Sequence, residues 1–276
     1  MAKLLANSTK QIINSEKPLL SAQLKQGERV QIVIPPAVPE GTTSITIRKP
    51  SNVLLTLDYL EEQGVFNDVI FNKDKNLYHE EIYLLELLKA KCIKKFIIEA
   101  IKTRKNIIIS GETGAGKTTF SKAMIQWIPK NERLITIEDV PELTLPNHPN
   151  HVRLIYSKDG QGLSKVTPKQ LLEACLRMKP DRILLSELRS TEAYYYLRNI
   201  NSGHPGSITT IHAGSPRLAF EQLMLLIKES SGGNQLSRHD IKSLLYLLID
   251  IIIQFKYIAG RGRVMTEIYY EPTVKK

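Results

Sequence analysis

A glycine-rich stretch restricts the possible folds of this chain more than any other part of its sequence. It follows an apolar run, Asn106 to Ser110, and it precedes a helical pattern that begins at Lys117. The pattern G-x-x-x-x-G-K-T in this setting is typical of a loop whose backbone N–H groups surround phosphates. We expect Lys117 to reach the β- and γ-phosphates of ATP and Thr118 to bind Mg²⁺. The predicted nucleotide-binding residues are Gly111, Glu112, Thr113, Gly114, Ala115, Gly116, Lys117, Thr118 and Thr119.

Strand and helix patterns alternate after this loop. Short apolar runs predict strands at 106–110, 134–138, 152–156, 182–186, 207–211, 249–257 and 263–270. Apolar residues spaced by threes and fours predict helices at 117–127, 168–178, 191–202, 216–230 and 238–248. Such alternation indicates an α/β fold with a mostly parallel sheet covered on both faces. Arg261 and Arg263 flank glycines between the last two strands, where we expect a hairpin with solvated charges.

The first hundred residues have a different pattern. Residues 20–49 predict β structure, with strands Val30 to Ile34 and Ser44 to Arg48, and residues 58–104 predict helices. A chain of 276 residues is long enough for a large and a smaller domain. We predict an α+β N-terminal domain at 1–57, a linker at 58–80 and the large domain at 81–276.

Composition limits the setting but not the partner. The net charge of +10 suits an acidic partner such as nucleic acid or an anionic membrane, although a lysine-rich surface explains it equally well. No apolar run approaches the length of a membrane span, so we expect any membrane contact to be peripheral. Cys92 and Cys175 lie in apolar segments without paired spacing, and we expect two buried thiols in a reducing cytoplasm.

Acidic residues follow two of the predicted strands. Glu138 and Asp139 end the strand 134–138, and Glu187 follows the strand 182–186. Ligands of open α/β sheets bind at the carboxyl ends of the strands, and phosphoryl transfer needs a carboxylate that orients water or holds Mg²⁺. His212 follows a third strand and could contact the γ-phosphate. Either Glu138 or Glu187 could orient the attacking water.

Together these motifs resemble a known family. The matching segments are SGETGAGKTT at 110–119, TIEDVPEL at 136–143, NHPNHVRLIY at 147–156, RMKPDRILLSELRS at 177–190 and SGHPGSITTIHAGSP at 202–216. They are similar to the secretion ATPase superfamily, and most similar to the hexameric traffic ATPases of bacterial type IV secretion systems. The resemblance extends from about Ser44 to Ala213 and lacks the cysteine-rich zinc insertion of the type II relatives.

The resemblance implies an ATPase with a RecA-like motor domain, an N-terminal domain shorter than is usual in the family, and nucleotide bound between the two. It also implies a homohexamer, peripheral to the cytoplasmic face of the inner membrane, that contacts inner-membrane secretion components and other secretion ATPases. By position, Glu187 matches the Walker B acid and Mg²⁺ ligand, Glu138 the acidic-box glutamate and His212 the box histidine. Arg48 matches an arginine that approaches the phosphates, and Arg153 either stabilises the transition state or pairs with Glu138.

Two other functions are compatible with the sequence. A nucleic-acid-stimulated motor would share the RecA-like core and suit the basic charge, although no residue pattern indicates DNA binding. A nucleotide-gated scaffold with little turnover would suit the short N-terminal domain. ATPase activity and its stimulation by single-stranded DNA would distinguish the three.

Overall fold

The structure is a computed structural model that describes residues 1–51, 53–69, 77–158 and 161–275. The helices are α1 (Ala2–Ser8), α2 (Leu57–Glu62), α3 (His79–Lys89), α4 (Ile93–Lys102), α5 (Lys117–Ile125), α6 (Pro168–Cys175), α7 (Glu192–Asn201), α8 (Pro216–Glu229) and α9 (Arg238–Leu248). The strands are β1 (Leu19–Gln23), β2 (Arg29–Val33), β3 (Ser44–Arg48), β4 (Ile107–Gly111), β5 (Leu134–Glu138), β6 (His151–Ile155), β7 (Arg182–Leu185), β8 (Ile208–Ile211), β9 (Ile251–Ile258) and β10 (Gly262–Tyr270). Part of the predicted linker, residues 70–76, lies outside the described residues.

The large sheet has two hydrogen-bonded parts, with strand orders β10-β9-β4-β8 and β6-β5-β7. They adjoin where Leu188, just beyond β7, donates its N–H to the carbonyl of Thr210 in β8 at 2.9 Å. Every pairing in these two parts is parallel except that of β10 with β9. The prediction of an α/β fold with a mostly parallel sheet is confirmed.

Helices cover both faces of this sheet, which explains why its strands are continuous apolar runs. Ile107 and Ile109 of β4 pack with α3, α4 and α5 on one face. Ile108 points to the other face and packs with α6, α7, α8 and α9. Because successive side chains of a strand point to opposite faces, three consecutive isoleucines serve two cores.

The N-terminal strands form a separate antiparallel sheet in the order β1-β2-β3. Leu20, Val30 and Ile32 are buried on one face together with Ala6 of α1. The sequence patterns did not specify the bounds of α1 or β1. For α1 the reason is that the helix is short and buries a single residue. This sheet meets the large sheet at its edge strand, where Ile155 of β6 donates its N–H to the carbonyl of Ala37 at 2.9 Å.

Two expectations about single residues have different outcomes. Cys175 is buried as predicted, and burial raises the pKa of its thiol. Cys92 is exposed, and that prediction was wrong, because Cys92 is the N-cap of α4 and not part of a buried face. Among the helices of the described ranges, none combines the length and apolarity needed to cross a membrane.

A buried ion pair supports the amino ends of the central strands. Arg182, fully buried at the start of β7, donates Nε to Glu132 at 2.5 Å and Nη2 to the same carboxylate at 3.1 Å. Its Nη1 donates to the carbonyls of Ile101 and Gly206. An unpaired buried charge is costly, so these partners of Arg182 are important for stability. The network also connects α4 and the start of β8 to the amino end of β7.

Candidate functional site

The glycine-rich loop connects the end of β4 to the start of α5, as predicted. Gly114 and Gly116 have φ angles of 78° and 96°, a conformation that residues other than glycine rarely adopt. At Gly111 a β-carbon would lie 2.6 Å from the carbonyl oxygen of Phe255, so a side chain does not fit there. The backbone of this loop is therefore set by its glycines, and α5 begins immediately after it with its N–H groups directed towards the loop.

Lys117 is buried at the base of the loop. Its Nζ donates to the carbonyls of Gly111 at 2.7 Å and Glu112 at 3.0 Å, and it lies 3.3 Å from Nδ1 of His212. Burial lowers the pKa of Lys117, although the nearby carboxylate of Glu187 partly opposes that effect. The ammonium group is thus held within the curve of the loop, where phosphates would lie.

A polar cleft opens beside the loop between Thr118, Asp139, Ser186 and Glu187. The hydroxyl oxygen of Ser186 is buried there and has no hydrogen-bond partner among the residues that the structure describes. A buried hydroxyl without a partner is unusual in a folded protein, and a ligand or water commonly satisfies it. The cleft therefore has the oxygen-rich lining that suits Mg²⁺ with its coordinated waters.

Glu187 is the centre of a charged network in this cleft. Its Oε1 lies 2.6 Å from Nε2 of His212, and its Oε2 lies 2.5 Å from Nη2 of Arg189. Arg189 also reaches Asp139 at 2.5 Å through Nη1. The hydrogen bond to Glu187 raises the pKa of Arg189. The structure therefore brings Lys117, His212 and Glu187 together.

The sequence patterns indicated no role for Arg189. Its position two residues after Glu187, at the carboxyl end of β7, is the signal that could have identified it. The side chain can then return over the strand end to meet both acids, one from β7 and one from β5.

Glu138 has a different environment from Glu187, although both lie at the carboxyl ends of strands in the same part of the sheet. It is fully buried, and its Oε2 accepts the backbone N–H groups of Glu142 and Leu143, each at 2.7 Å. Its Oε1 accepts from Thr136 at 2.8 Å and from Nε of Arg153 at 3.3 Å. Of the alternatives for Arg153, the structure shows the pairing with Glu138.

Arg48 is exposed at the end of β3, and the described residues include no hydrogen bond or ion pair to its side chain. Two residues earlier, Thr46 accepts a hydrogen bond from Arg133 at 3.4 Å. Arg133 precedes β5, whereas Glu138 ends it. The structure therefore does not bring Arg48 to the loop of its own chain.

Comparison with known proteins shows the family of this chain. A family model described as Type II/IV secretion system protein matches residues 73–252. A type IV secretion system protein VirB11 of Bartonella quintana is 54% identical, over 99% of this chain and 79% of the relative. A VirB11 of Brucella suis is 47% identical, over 96% of this chain and 74% of the relative.

Solved structures give the same result. The VirB11 ATPase from the Brucella suis type IV secretion system, crystallised with sulphate, is 45% identical with a TM-score of 0.92, covering 99% of this chain and 82% of that one. The pilus retraction motor PilT with bound ADP is 19% identical with a TM-score of 0.52, covering 91% of this chain and 63% of that one, a likeness of fold alone.

These similarities define a class of protein, the P-loop ATPases of secretion systems. Within that class, this chain belongs to the type II/IV secretion system family, and its relatives of high identity are type IV proteins. The predicted recognition, fold and ATPase activity are confirmed. The comparisons favour an ATPase that drives secretion over the nucleic-acid motor and the scaffold.

Proposed function

We propose that this chain binds ATP with Mg²⁺ on residues 111–119 and hydrolyses it to power assembly of, or substrate transfer through, a type IV secretion system. The observation that carries the proposal is the run of contacts from Lys117 through His212 to Glu187, beside a glycine loop of phosphate-binding shape. A cation, a histidine and a carboxylate are thereby gathered at the ends of β4, β7 and β8. Phosphoryl transfer depends mainly on such positioning and charge stabilisation.

Thr118 and Glu187 would hold the Mg²⁺, since both line the cleft that contains the unsatisfied hydroxyl of Ser186. Bound there, Mg²⁺ would neutralise charge on the β- and γ-phosphates. Thr118, as the second residue of α5, offers its hydroxyl next to the backbone N–H groups of the helix start. When ATP binds, the ammonium group of Lys117 exchanges its hydrogen bonds to the loop carbonyls for hydrogen bonds to the phosphates, which are the stronger acceptors.

Glu187 orients the attacking water in this proposal, and Glu138 positions the residues around it. Glu187 lines the cleft, whereas Glu138 is fully buried and both of its oxygens accept hydrogen bonds from protein groups. A carboxylate in that state has little capacity left for a substrate water. Glu138 instead holds the loop 139–143 and the guanidinium of Arg153.

His212 and the two arginines have supporting roles. His212 is close to both Lys117 and Glu187, so its ring can contact the γ-phosphate when ATP is bound beside these two residues. Arg153 is paired with Glu138, which precedes Asp139 of the cleft, and it stabilises transition-state charge when that pair separates. Arg48 lies on the N-terminal sheet and approaches phosphates across a contact between subunits.

The proposed assembly is that of the family. We assign the chain to a homohexamer at the cytoplasmic face of the inner membrane, in peripheral contact with inner-membrane secretion components and other secretion ATPases. Residues 1–57 and 81–276 act as the two moving units, joined by the linker 58–80. Relatives of high identity are described as type IV secretion system proteins, which supports this assignment.

The test is the substitution Glu187→Gln, which keeps the size of the side chain but removes its charge. We expect ATP binding to persist and kcat to fall by about 10²- to 10⁴-fold, the range for loss of a positioned acid or base. Lys117→Ala should weaken binding and hydrolysis together. Glu229→Gln, at an exposed carboxylate on α8, is the matched control and should leave both unchanged.

Steady-state ATPase assays and nucleotide titration measure these effects, with light scattering for the mass of the assembly. Equal turnover in Glu187→Gln and the unmodified protein would exclude Glu187 from the reaction. Absence of ATP binding by the unmodified protein would refute the proposed function itself.

A further inference from the structure

One arginine connects two of the carboxylates that line the cleft. Arg189 donates through Nη1 to Asp139 and through Nη2 to Glu187, each at 2.5 Å. Asp139 follows β5 and Glu187 follows β7, two strands that pair in parallel, so the guanidinium group bridges neighbouring strand ends. A guanidinium group suits this position, because its five N–H donors are arranged in a rigid fork. The proposed function gives a task to Glu187 but none to Arg189.

The backbone that carries Arg189 is fixed on both sides of this residue. The carboxylate of Glu192, which is buried, accepts the N–H groups of Arg189 at 2.6 Å and of Ser190 at 2.8 Å. On the other side, Leu188 is buried and donates its N–H to the carbonyl of Thr210 at 2.9 Å. The side chain of Arg189 is nevertheless 43% exposed. It can therefore change partner by rotation about its own bonds while the backbone stays in place.

Arg189 and a bound Mg²⁺ would both require the carboxylate of Glu187. Oε2 of Glu187 carries the ion pair with Arg189. Oε1 is buried, and although Nε2 of His212 lies 2.6 Å away, no described residue donates a hydrogen bond of ordinary geometry to it. A guanidinium group that stays on the same carboxylate would repel a divalent cation there. Binding of Mg²⁺ by Glu187 therefore favours separation of the ion pair with Arg189.

Asp139 gives Arg189 a partner when it leaves Glu187. Its Oδ2 accepts from Nη1 of the arginine, and its Oδ1 accepts the N–H of Val140 at 3.0 Å. The carboxylate of Asp139 is only 13% exposed, and within the described ranges its ion pair is with Arg189. A largely buried carboxylate without a counter-charge is unfavourable, so this second pair should persist when the first one separates.

We propose that Arg189 is a positioning residue that competes with Mg²⁺ for Glu187: it holds this carboxylate until Mg²⁺ arrives with ATP, and it then pairs with Asp139 alone. The inference rests on the proposed binding of Mg²⁺ by Glu187. The guanidinium group yields to Mg²⁺ that comes with nucleotide, because the phosphates supply further ligands for the cation. Free Mg²⁺ lacks those ligands and displaces Arg189 only weakly.

The test is the affinity for Mn²⁺ alone, measured by electron paramagnetic resonance without nucleotide, since oxygen ligands suit Mn²⁺ and Mg²⁺ alike. Arg189→Gln removes the competing charge and should bind Mn²⁺ about tenfold more tightly, the equivalent of one charge-assisted hydrogen bond at a partly exposed site. Arg189→Lys keeps the charge but holds two acids less well, so its affinity should lie between those of Arg189→Gln and the unmodified protein. Equal affinity of Arg189→Gln and the unmodified protein would overturn the inference.

Asp139→Asn tests the second partner. Arg189 then has one carboxylate and leaves it less readily, so the affinity for Mn²⁺ should fall by about tenfold, again the equivalent of one charge-assisted hydrogen bond. An affinity equal to or higher than that of the unmodified protein would refute the role of Asp139. Circular dichroism checks that each variant is folded.

Binding of ATP in the presence of EDTA separates competition for the cation from direct contact with phosphate. Competition predicts that Arg189→Gln binds metal-free ATP as tightly as the unmodified protein does. An arginine that contacts the phosphates directly would instead lose affinity for metal-free ATP on substitution. Such a loss would overturn the inference.

Arg263 provides a matched control, because it has the same charge and also lies beside the phosphate loop. Its Nε donates to the carbonyl of Gly114 at 3.0 Å, and it forms no ion pair within the described part of the chain. The expectation of a solvated charge was therefore wrong for Arg263, because the twist of the β9–β10 hairpin brings its side chain over the loop. Arg261 is exposed, as expected.

Arg263→Gln should bind Mn²⁺ within about twofold of the unmodified protein, because this arginine holds no carboxylate of the cleft and solvent screens its charge. An increase equal to that of Arg189→Gln would mean that net charge alone sets the affinity, and would refute the competition.

The same titrations separate this inference from the proposed function. If the unmodified protein binds ATP neither with Mg²⁺ nor without it, the proposed function fails. If it binds ATP with Mg²⁺, and Mn²⁺ affinity is the same with and without Arg189, only the inference fails.

Discussion

Glu138→Ala should destabilise the protein by an amount that follows from the hydrogen bonds of the carboxylate. The substitution leaves the backbone N–H groups of Glu142 and Leu143 without an acceptor, and that of Leu143 is buried. Each unsatisfied buried donor costs about 1–3 kcal/mol. Arg153 also loses its partner inside the protein. Removing one member of a buried pair costs about 3–5 kcal/mol, and we expect a loss of that size in the free energy of unfolding.

Glu138→Gln separates the hydrogen bonds from the charge. The amide oxygen can still accept from both backbone N–H groups, and its nitrogen can donate to the hydroxyl of Thr136. Only Arg153 then faces a group that it cannot bond. We expect a loss of about 1–2 kcal/mol, the value of one hydrogen bond. Glu142→Ala removes an exposed carboxylate from the same loop but keeps its N–H, so it should change stability by no more than about 0.5 kcal/mol.

The assay is urea unfolding followed by tryptophan fluorescence and circular dichroism, in the absence of nucleotide. The order of stability should be Glu142→Ala, then Glu138→Gln, then Glu138→Ala as the least stable variant. If Glu138→Gln is as unstable as Glu138→Ala, the charge and not the loop hydrogen bonds dominates. If Glu138→Ala is as stable as the unmodified protein, the reasoning is wrong and Glu138 is available for chemistry.

Two further predictions concern Lys117 and Arg182. Burial lowers the pKa of Lys117 below 10.5, and the ammonium loses its proton as the pH rises through that lowered pKa. ATP affinity should therefore fall with rising pH, which ATP titrations between pH 7 and 10 would measure. The affinity of Lys117→Arg should not fall over this range, because arginine stays charged. Arg182→Ala leaves Glu132 and the carbonyls of Ile101 and Gly206 without their donor. It should lower the free energy of unfolding by about 3–5 kcal/mol. Arg217→Ala, at an exposed position, is the control and should lower it by no more than about 0.5 kcal/mol, with both variants measured by urea unfolding. If the ATP affinity of Lys117→Arg falls at high pH as much as that of the unmodified protein, the argument about Lys117 is contradicted. If Arg182→Ala unfolds at the same urea concentration as the unmodified protein, the argument about Arg182 is contradicted.

The sequence predicted the large sheet well because its signals are local. Strand β5 and helix α9 have the predicted bounds, since Asp139 follows the end of β5 and the cap at Ser237 marks the start of α9. Strand β3 of the N-terminal sheet also has its predicted bounds, with Pro50 shortly after its end. The glycine loop was also predictable, because its function depends on backbone geometry that few other sequences allow. The division at residues 57 and 80 remains a prediction.

The site was less predictable because its properties depend on neighbours in space. Glu138 and Glu187 follow similar apolar strands, and nothing in the sequence says that the chain after Glu138 folds back to donate two N–H groups to it. The contact of Arg263 with Gly114 joins residues 149 positions apart. Local patterns cannot specify such a contact, because it depends on the pairing and twist of β9 and β10.

The loop that follows β2 contacts the large sheet beside Glu138, and this contact bears on how the N-terminal sheet can act. Ile155 of β6 donates its N–H to the carbonyl of Ala37, and in the register of β6 with β5 it is opposite Glu138. Arg153, two residues earlier on β6, is the partner of Glu138. A displacement of the loop at Ala37 should therefore move β6 and with it the Glu138–Arg153 pair. Changes at Glu138 should for this reason affect the contact between the N-terminal segment and β6 as well as stability.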